Sequence, residues 1–136
     1  MGLSADTPRT YELGDDTDYP VAASTVIYEG CAVGNNGSGY ARKLVALDGF
    51  LGFASEYVDN SAGSAGDKNV RVKTQGCIQL PISGIAITAN SRPKVYASDD
   101  GTFTLTSTSN TLIGTVRRWV STGVAIVEFD AALSKF

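Results

Sequence analysis

Apolar residues recur at every second position over short stretches of this chain, and glycine, asparagine or aspartate repeatedly interrupts them. Val70-Arg71-Val72-Lys73-Thr74, Phe103-Thr104-Leu105-Thr106 and Cys77-Ile78-Gln79-Leu80-Pro81-Ile82 each set one face of an extended segment in an apolar layer and the other in water. Pro81 marks an edge or a strand end, because it has no N–H to give to a ladder. Turn signals separate the strands: Gly34-Asn35-Asn36-Gly37-Ser38-Gly39, Asp48-Gly49, residues 60–66, residues 90–93, Asp99-Asp100-Gly101 and Ser121-Thr122-Gly123. From Thr25 onward this predicts an all-β domain of short antiparallel strands, closed as a small β-barrel or stacked as a β-sandwich. The only helix candidates, residues 84–89 and 131–135, are too short to stand alone.

One block of this pattern occurs twice. Residues 25–74 carry an entry strand (Val26, Ile27, Tyr28), a turn, Asp48-Gly49-Phe50-Leu51-Gly52-Phe53-Ala54 and the closing strand Val70-Arg71-Val72-Lys73. Residues 85–130 repeat the order with Lys94-Val95-Tyr96-Ala97, the turn 99–101, Asn110-Thr111-Leu112-Ile113-Gly114-Thr115-Val116 and Val124-Ala125-Ile126-Val127-Glu128-Phe129. An apolar pair running into glycine is common to both, so two similar halves are expected to build one domain.

Residues 1–22 break the pattern. They are polar and acidic, hold Pro8 and Pro20, and show no sustained period, yet Leu3, Tyr11, Leu13 and Tyr19 are scattered through them. A disordered leader would carry fewer large side chains, so an extended N-terminal arm is expected, with these four as partner-binding anchors. The organisation predicted is an arm over 1–22 and a single β domain over 23–136.

Composition narrows the partners. The 136 residues suffice for one core, and the net charge of −3 without a run of Lys or Arg removes the counterion-release term of nucleic-acid binding. Arg42-Lys43, Lys68, Arg71, Lys73, Arg92, Lys94 and Arg117-Arg118 read as solvated strand faces and turns. No stretch is long and apolar enough to span a bilayer, and the N-terminus lacks the basic start and apolar run of a secretory signal, so synthesis in the cytoplasm is expected. Cys31 and Cys77, in the similar settings Glu-Gly-Cys-Ala-Val and Gln-Gly-Cys-Ile-Gln, read as small buried residues, with a disulfide between them as the alternative.

The chain contains no histidine, which removes the usual general base, the standard triads and the commonest metal ligand. Asp99-Asp100-Gly101 sits between strands and reads as a turn. Asp15-Asp16-Thr17-Asp18 lacks the downstream glycine and bidentate glutamate of a calcium loop. The glycine-rich run 34–39 leads into another strand, Tyr40-Ala41-Arg42-Lys43-Leu44, and not into a helix closed by Lys-Ser or Lys-Thr, so it is a hairpin loop and not a phosphate cradle. Nothing near either cysteine lowers a thiol pKa. No enzymatic activity and no cofactor are expected. Trp119, after Arg117-Arg118, fits either an aromatic lid on the core or an interface anchor.

Arg92-Pro93-Lys94-Val95-Tyr96-Ala97, then Asp99-Asp100-Gly101, then Asn110-Thr111-Leu112-Ile113-Gly114-Thr115-Val116, then Gly123-Val124-Ala125-Ile126-Val127-Glu128-Phe129 resembles a family of small tailed-bacteriophage head proteins. These are capsid decoration, or cement, proteins, sometimes labelled phage recombinase-like. Glu29-Gly30-Cys31-Ala32-Val33 and Leu51-Gly52-Phe53-Ala54 stand where the family has its opening glycine-containing strands, so the resemblance spans residues 25–130 and leaves the arm outside. It implies a β-barrel or sandwich on the capsid surface of the virion, bound to the major capsid protein and to itself as a homotrimer at local threefold positions. There it would stabilise the mature head against internal DNA pressure. A different class of reading is a carbohydrate-binding or adhesin-like β module using Tyr40, Tyr57 and Trp119 as sugar platforms.

Overall fold

The computed structural model describes residues 4–6 and 15–132. Strand and turn account for nearly all of it, in three antiparallel sheets. The first sheet contains β1 (Asp16–Pro20), β3 (Ala32–Asn35), β4 (Ala41–Lys43), β5 (Gly49–Ala54) and β7 (Asn69–Lys73), in the order β1-β7-β5-β3-β4. The second contains β8 (Gln75–Pro81), β9 (Lys94–Ala97), β10 (Phe103–Thr104), β11 (Thr111–Ser121) and β12 (Val124–Asp130), in the order β8-β12-β11-β9-β10. The short pair β2 (Thr25–Ile27) and β6 (Val58–Asn60) forms the third. Each sheet is open at both ends, so the molecule is a small β-sandwich and not the closed barrel that stood as the other expectation.

Two cores divide the interior. The main one joins Ala32, Phe50 and Phe53 of the first sheet to Leu80, Val95, Phe103, Ile113, Val116, Ala125, Val127 and Phe129 of the second. Phe53 is the hinge of this layer, with its ring 4.9 Å from Phe129 and 6.1 Å from Phe103, in the tilted and edge-on arrangements aromatic quadrupoles favour. The smaller core lies on the opposite face of the first sheet. There Val33, Ala54, Val70 and Val72 meet Ile27 and Val58 of the β2–β6 pair. Alternation along β3 and β5 therefore faces two apolar layers, which is why Ala32-Val33 and Phe53-Ala54 are both wholly apolar.

The duplication is present in the ladder itself. Both five-stranded sheets follow one topology, with β1, β3, β4, β5 and β7 answered in turn by β8, β9, β10, β11 and β12. Registers agree residue by residue: Val33↔Gly52 and Asn35↔Ala41 in the first half correspond to Val95↔Gly114 and Ala97↔Phe103 in the second. Even the parallel bridge Val21↔Ala41 has its copy in Ile82↔Phe103. Each half carries a bulge beside the shared glycine, because the backbone of the neighbouring strand presses in there. A Cβ on Gly52 would strike the carbonyl oxygen of Lys73, and one on Gly114 would strike that of Glu128.

The structure reassigns some of the expected elements. The counterpart of Lys94–Ala97 is β3, not the Val26-Ile27-Tyr28 segment, which forms the unrepeated β2–β6 pair. Asp16–Pro20, expected within the arm, is an edge strand paired with β7, and Val21 and Ala22 behind it are buried. Residues 84–89 are not a helix but lead into a 3₁₀ turn at Ile87–Ser91, and Ala131-Ala132 is a turn. The strand expected over 103–106 ends at Thr104, leaving Leu105 exposed. Both cysteines are free thiols; Cys31 is buried as expected, but Cys77 is exposed because it lies on the outer face of edge strand β8.

Candidate functional site

Only Tyr19 and Trp119 of the anchors expected from the sequence fall within the described residues. Leu3, Tyr11 and Leu13 lie outside the described residues. Tyr19, on β1, is half-buried against the smaller core, while Trp119, on β11, is half-buried against the main one. Trp119 donates its backbone N–H to Asn90 Oδ1 at 2.7 Å, and its buried indole Nε1 has no acceptor. Of the candidate sugar platforms, Tyr40 is half-buried and Tyr57 is exposed.

A different set of large side chains is exposed. Tyr28 and Tyr57 flank the β2–β6 pair, where the register Ile27↔Val58, carried one step further, sets them opposite each other. Their rings lie 5.6 Å apart and tilted, each more than half exposed. Lys43 Nζ stands 5.5 Å from the centre of the Tyr28 ring, a cation–π distance. Desolvation, then the charges of Asp59 and of the Tyr28 phenol, raise the Tyr57 phenol pKa.

The chain leaving β4 exposes two aliphatic side chains. Lys43 and Val45 share one side of the segment while Leu44 between them is buried, and Leu47 is 73% exposed. Leu47 also has φ 77°, a left-handed conformation that a branched apolar residue adopts only when its surroundings impose it. The imposing contacts are identifiable. Leu47 N–H donates to Thr111 Oγ1 at 2.9 Å, and that hydroxyl donates to the Asp48 carbonyl at 3.0 Å. Asp48, whose side chain is 8% exposed, accepts Val45 N–H at 3.0 Å and takes both Nε and Nη2 of Arg42, at 3.0 and 2.7 Å. This paired carboxylate raises the Arg42 pKa. Gly34 is required beneath it, since a Cβ there would overlap the Asp48 carboxyl group. Val45 and Leu47 are thus presented to solvent on a braced loop.

Sequence reasoning missed Tyr28, Val45 and Leu47. The available signal was Leu44-Val45-Ala46-Leu47 running straight into Asp48-Gly49, an apolar run with no alternation that ends in a turn.

The polar candidates have structural partners. Asp99 Oδ1 accepts Gly101 N–H at 2.9 Å, and this backbone bond is the main cause of its lowered pKa. Asp16 and Asp18 face Lys73 and Arg71 across the β1–β7 ladder, at 3.7 and 3.3 Å. The amides of the 34–39 turn are occupied within the turn: Asn35 Oδ1 accepts Gly37 and Gly39, and Asn36 Oδ1 accepts Ser38 and Tyr40. Burial, then the charge of Asp100, pushes the Cys31 thiol up to about 11, which keeps it protonated at neutral pH. Among the described residues no three His, Cys, Asp or Glu side chains are grouped to hold a metal ion. What the surface offers is contact: an aromatic pair, a cation and two braced aliphatic side chains. Compared with known proteins, the sequence matches no protein-family model and no curated protein.

Proposed function

We propose that this protein is a virion structural protein that decorates and cements a tailed-phage head, binding the major capsid protein on the capsid surface and neighbouring copies of itself as a homotrimer. The observation that carries the reading is the set of exposed apolar side chains on this small sandwich, the stacked Tyr28–Tyr57 pair and the braced Val45 and Leu47. Its order reduces the entropy lost when a partner covers it. The resemblance in residues 92–129 adds to this, and one of its residues, Thr111, is the one that pins Leu47. Stabilisation would follow from mass action: a ligand that binds only the mature lattice lowers the free energy of that lattice, and many symmetric copies multiply the effect.

Co-sedimentation with expanded, empty capsids of the cognate phage tests this. Wild-type protein should pellet with capsids, and Leu47→Asp or Tyr28→Ala combined with Tyr57→Ala should weaken binding at least about tenfold. No binding by folded wild-type protein, or equal binding by all variants, overturns it. The exposed Tyr28–Tyr57 pair also suits a carbohydrate-binding or adhesin-like module on the virion surface. Glycan binding by the isolated protein, abolished by Tyr57→Ala and accompanied by no affinity for capsids, selects that reading.

A further inference from the structure

The two halves treat their matching edge strands differently. β1 and β8 hold the same place in the two sheets, and each ends on a proline, Pro20 or Pro81. β1 carries Asp16 and Asp18, the kind of charge that keeps an edge from pairing with another chain. β8, Gln-Gly-Cys-Ile-Gln-Leu-Pro, carries none, although it is the longer strand. Two charges lie opposite it by register: Glu128, opposite Cys77, is paired with Arg92 and Arg117, and Asp130, opposite Gln75, accepts Ala132 N–H at 3.0 Å.

The open bonding groups of β8 follow from its ladder. Ala131 N–H donates to Thr74 carbonyl and Ile82 N–H to Gly123 carbonyl, both at 2.8 Å, so the even-numbered residues between them exchange bonds with β12. The N–H and C=O groups of Gln75, Cys77 and Gln79 therefore point away from the sheet. Their side chains lie on the outer face, exposed, while Leu80 is buried in the main core and Ile78 packs partly against it.

We propose that β8 is a self-pairing edge, at which two copies of this chain join antiparallel about a twofold axis through Cys77. In that register Gln75 meets Gln79 of the other copy and the two Cys77 residues face each other. Every outward N–H of the three residues finds a carbonyl, and Pro81, which has no N–H, falls beyond the ladder. No like charges meet along the strand, whereas pairing β1 with itself would bring acidic side chains together. Ile78, only partly covered in one copy, becomes continuous with its equivalent, so the two second sheets form one sheet across the axis.

Sedimentation of the full-length purified protein over a concentration series tests the pairing without capsids, so its failure leaves the capsid reading untouched. Without capsids a reversible dimer is expected, the threefold contacts of the proposed homotrimer being made on the head. Cys77→Lys, which sets two cations face to face, and Gln79→Lys should each weaken it about tenfold or more while circular dichroism remains that of the folded protein. With copper phenanthroline as the electron acceptor, the paired Cys77 thiols should form a disulfide-linked dimer that survives Cys31→Ser and is lost in Cys77→Ser. A monomer at all concentrations, a dimer indifferent to both lysine variants, or a disulfide formed without a reversible dimer each overturns the proposal.

Discussion

Glycines in this protein divide into those a backbone requires and those it tolerates. Gly52 and Gly114 lie where a neighbouring carbonyl oxygen leaves no room for a Cβ, whereas Gly49 has open space. Gly52→Ala and Gly114→Ala should each destabilise the fold by about 2 kcal/mol or more, against about 0.5 kcal/mol or less for Gly49→Ala, as read by urea unfolding. Leu47 holds the opposite bargain, a side chain in a conformation suited to glycine. Leu47→Gly should relieve the φ 77° strain and leave stability within about 1 kcal/mol of wild type, yet weaken partner binding; the two assays then separate presentation from folding. Cys31 contributes a pH dependence. Its folded-state pKa of about 11 lies above the ordinary thiol value of 9.0, so the unfolded chain loses the proton first as pH rises. The stabilisation is complete below about pH 9 and is lost by about pH 11, at most about 3 kcal/mol at roughly 1.4 kcal/mol per unit. Cys31→Ala should flatten that alkaline decline relative to wild type in chemical unfolding at fixed pH values.

At the scale of elements, β1 belongs to the β domain. Exposed ion pairs such as Asp16–Lys73 and Asp18–Arg71 add little each, so β1 is held by its ladder and by Tyr19, Val21 and Ala22 packing behind it. Removing 1–22 takes away fully buried Val21 and exposes Val70 and Val72, and should lower the thermal unfolding midpoint sharply or abolish folding. Alternation in Val70-Arg71-Val72-Lys73 and in Cys77–Pro81 was legible because one face of each meets an apolar layer and the other meets water. β1 was illegible because Asp-Thr-Asp-Tyr-Pro has a polar outer face and only one large inward side chain. It is a strand by virtue of its partner.

For the whole molecule, the shared core predicts that the two halves unfold as one cooperative unit. The inner face of the second sheet, with Val95, Val116 and Val127, is covered by Phe50 and Phe53 of the first, so neither half can bury its apolar surface alone. Phe53→Ala should cost about 3–5 kcal/mol and shift far-ultraviolet and tryptophan signals together in one transition. Trp119 reports the second half, so separate transitions by the two probes would show that the halves unfold independently. The same stacking accounts for differences between the copies. Phe50 and Phe53 in the first half correspond to Leu112 and Thr115 in the second, which are half-buried on a face that no further sheet covers among the described residues.

Strand content, the turn chemistry of Asp99 and Asn35, the lack of histidine and the shared Phe-Leu-Gly and Leu-Ile-Gly blocks were properties of the sequence by itself, because they depend on near neighbours and on a period of two. The choice of an open sandwich over a barrel, the true partner of Lys94–Ala97, the exposure of Cys77 and that of Tyr28, Tyr57, Val45 and Leu47 were decided only in the tertiary structure. Each depends on which backbone lies alongside or across a sheet. An apolar side chain has the same identity whether a distant segment covers it or leaves it bare.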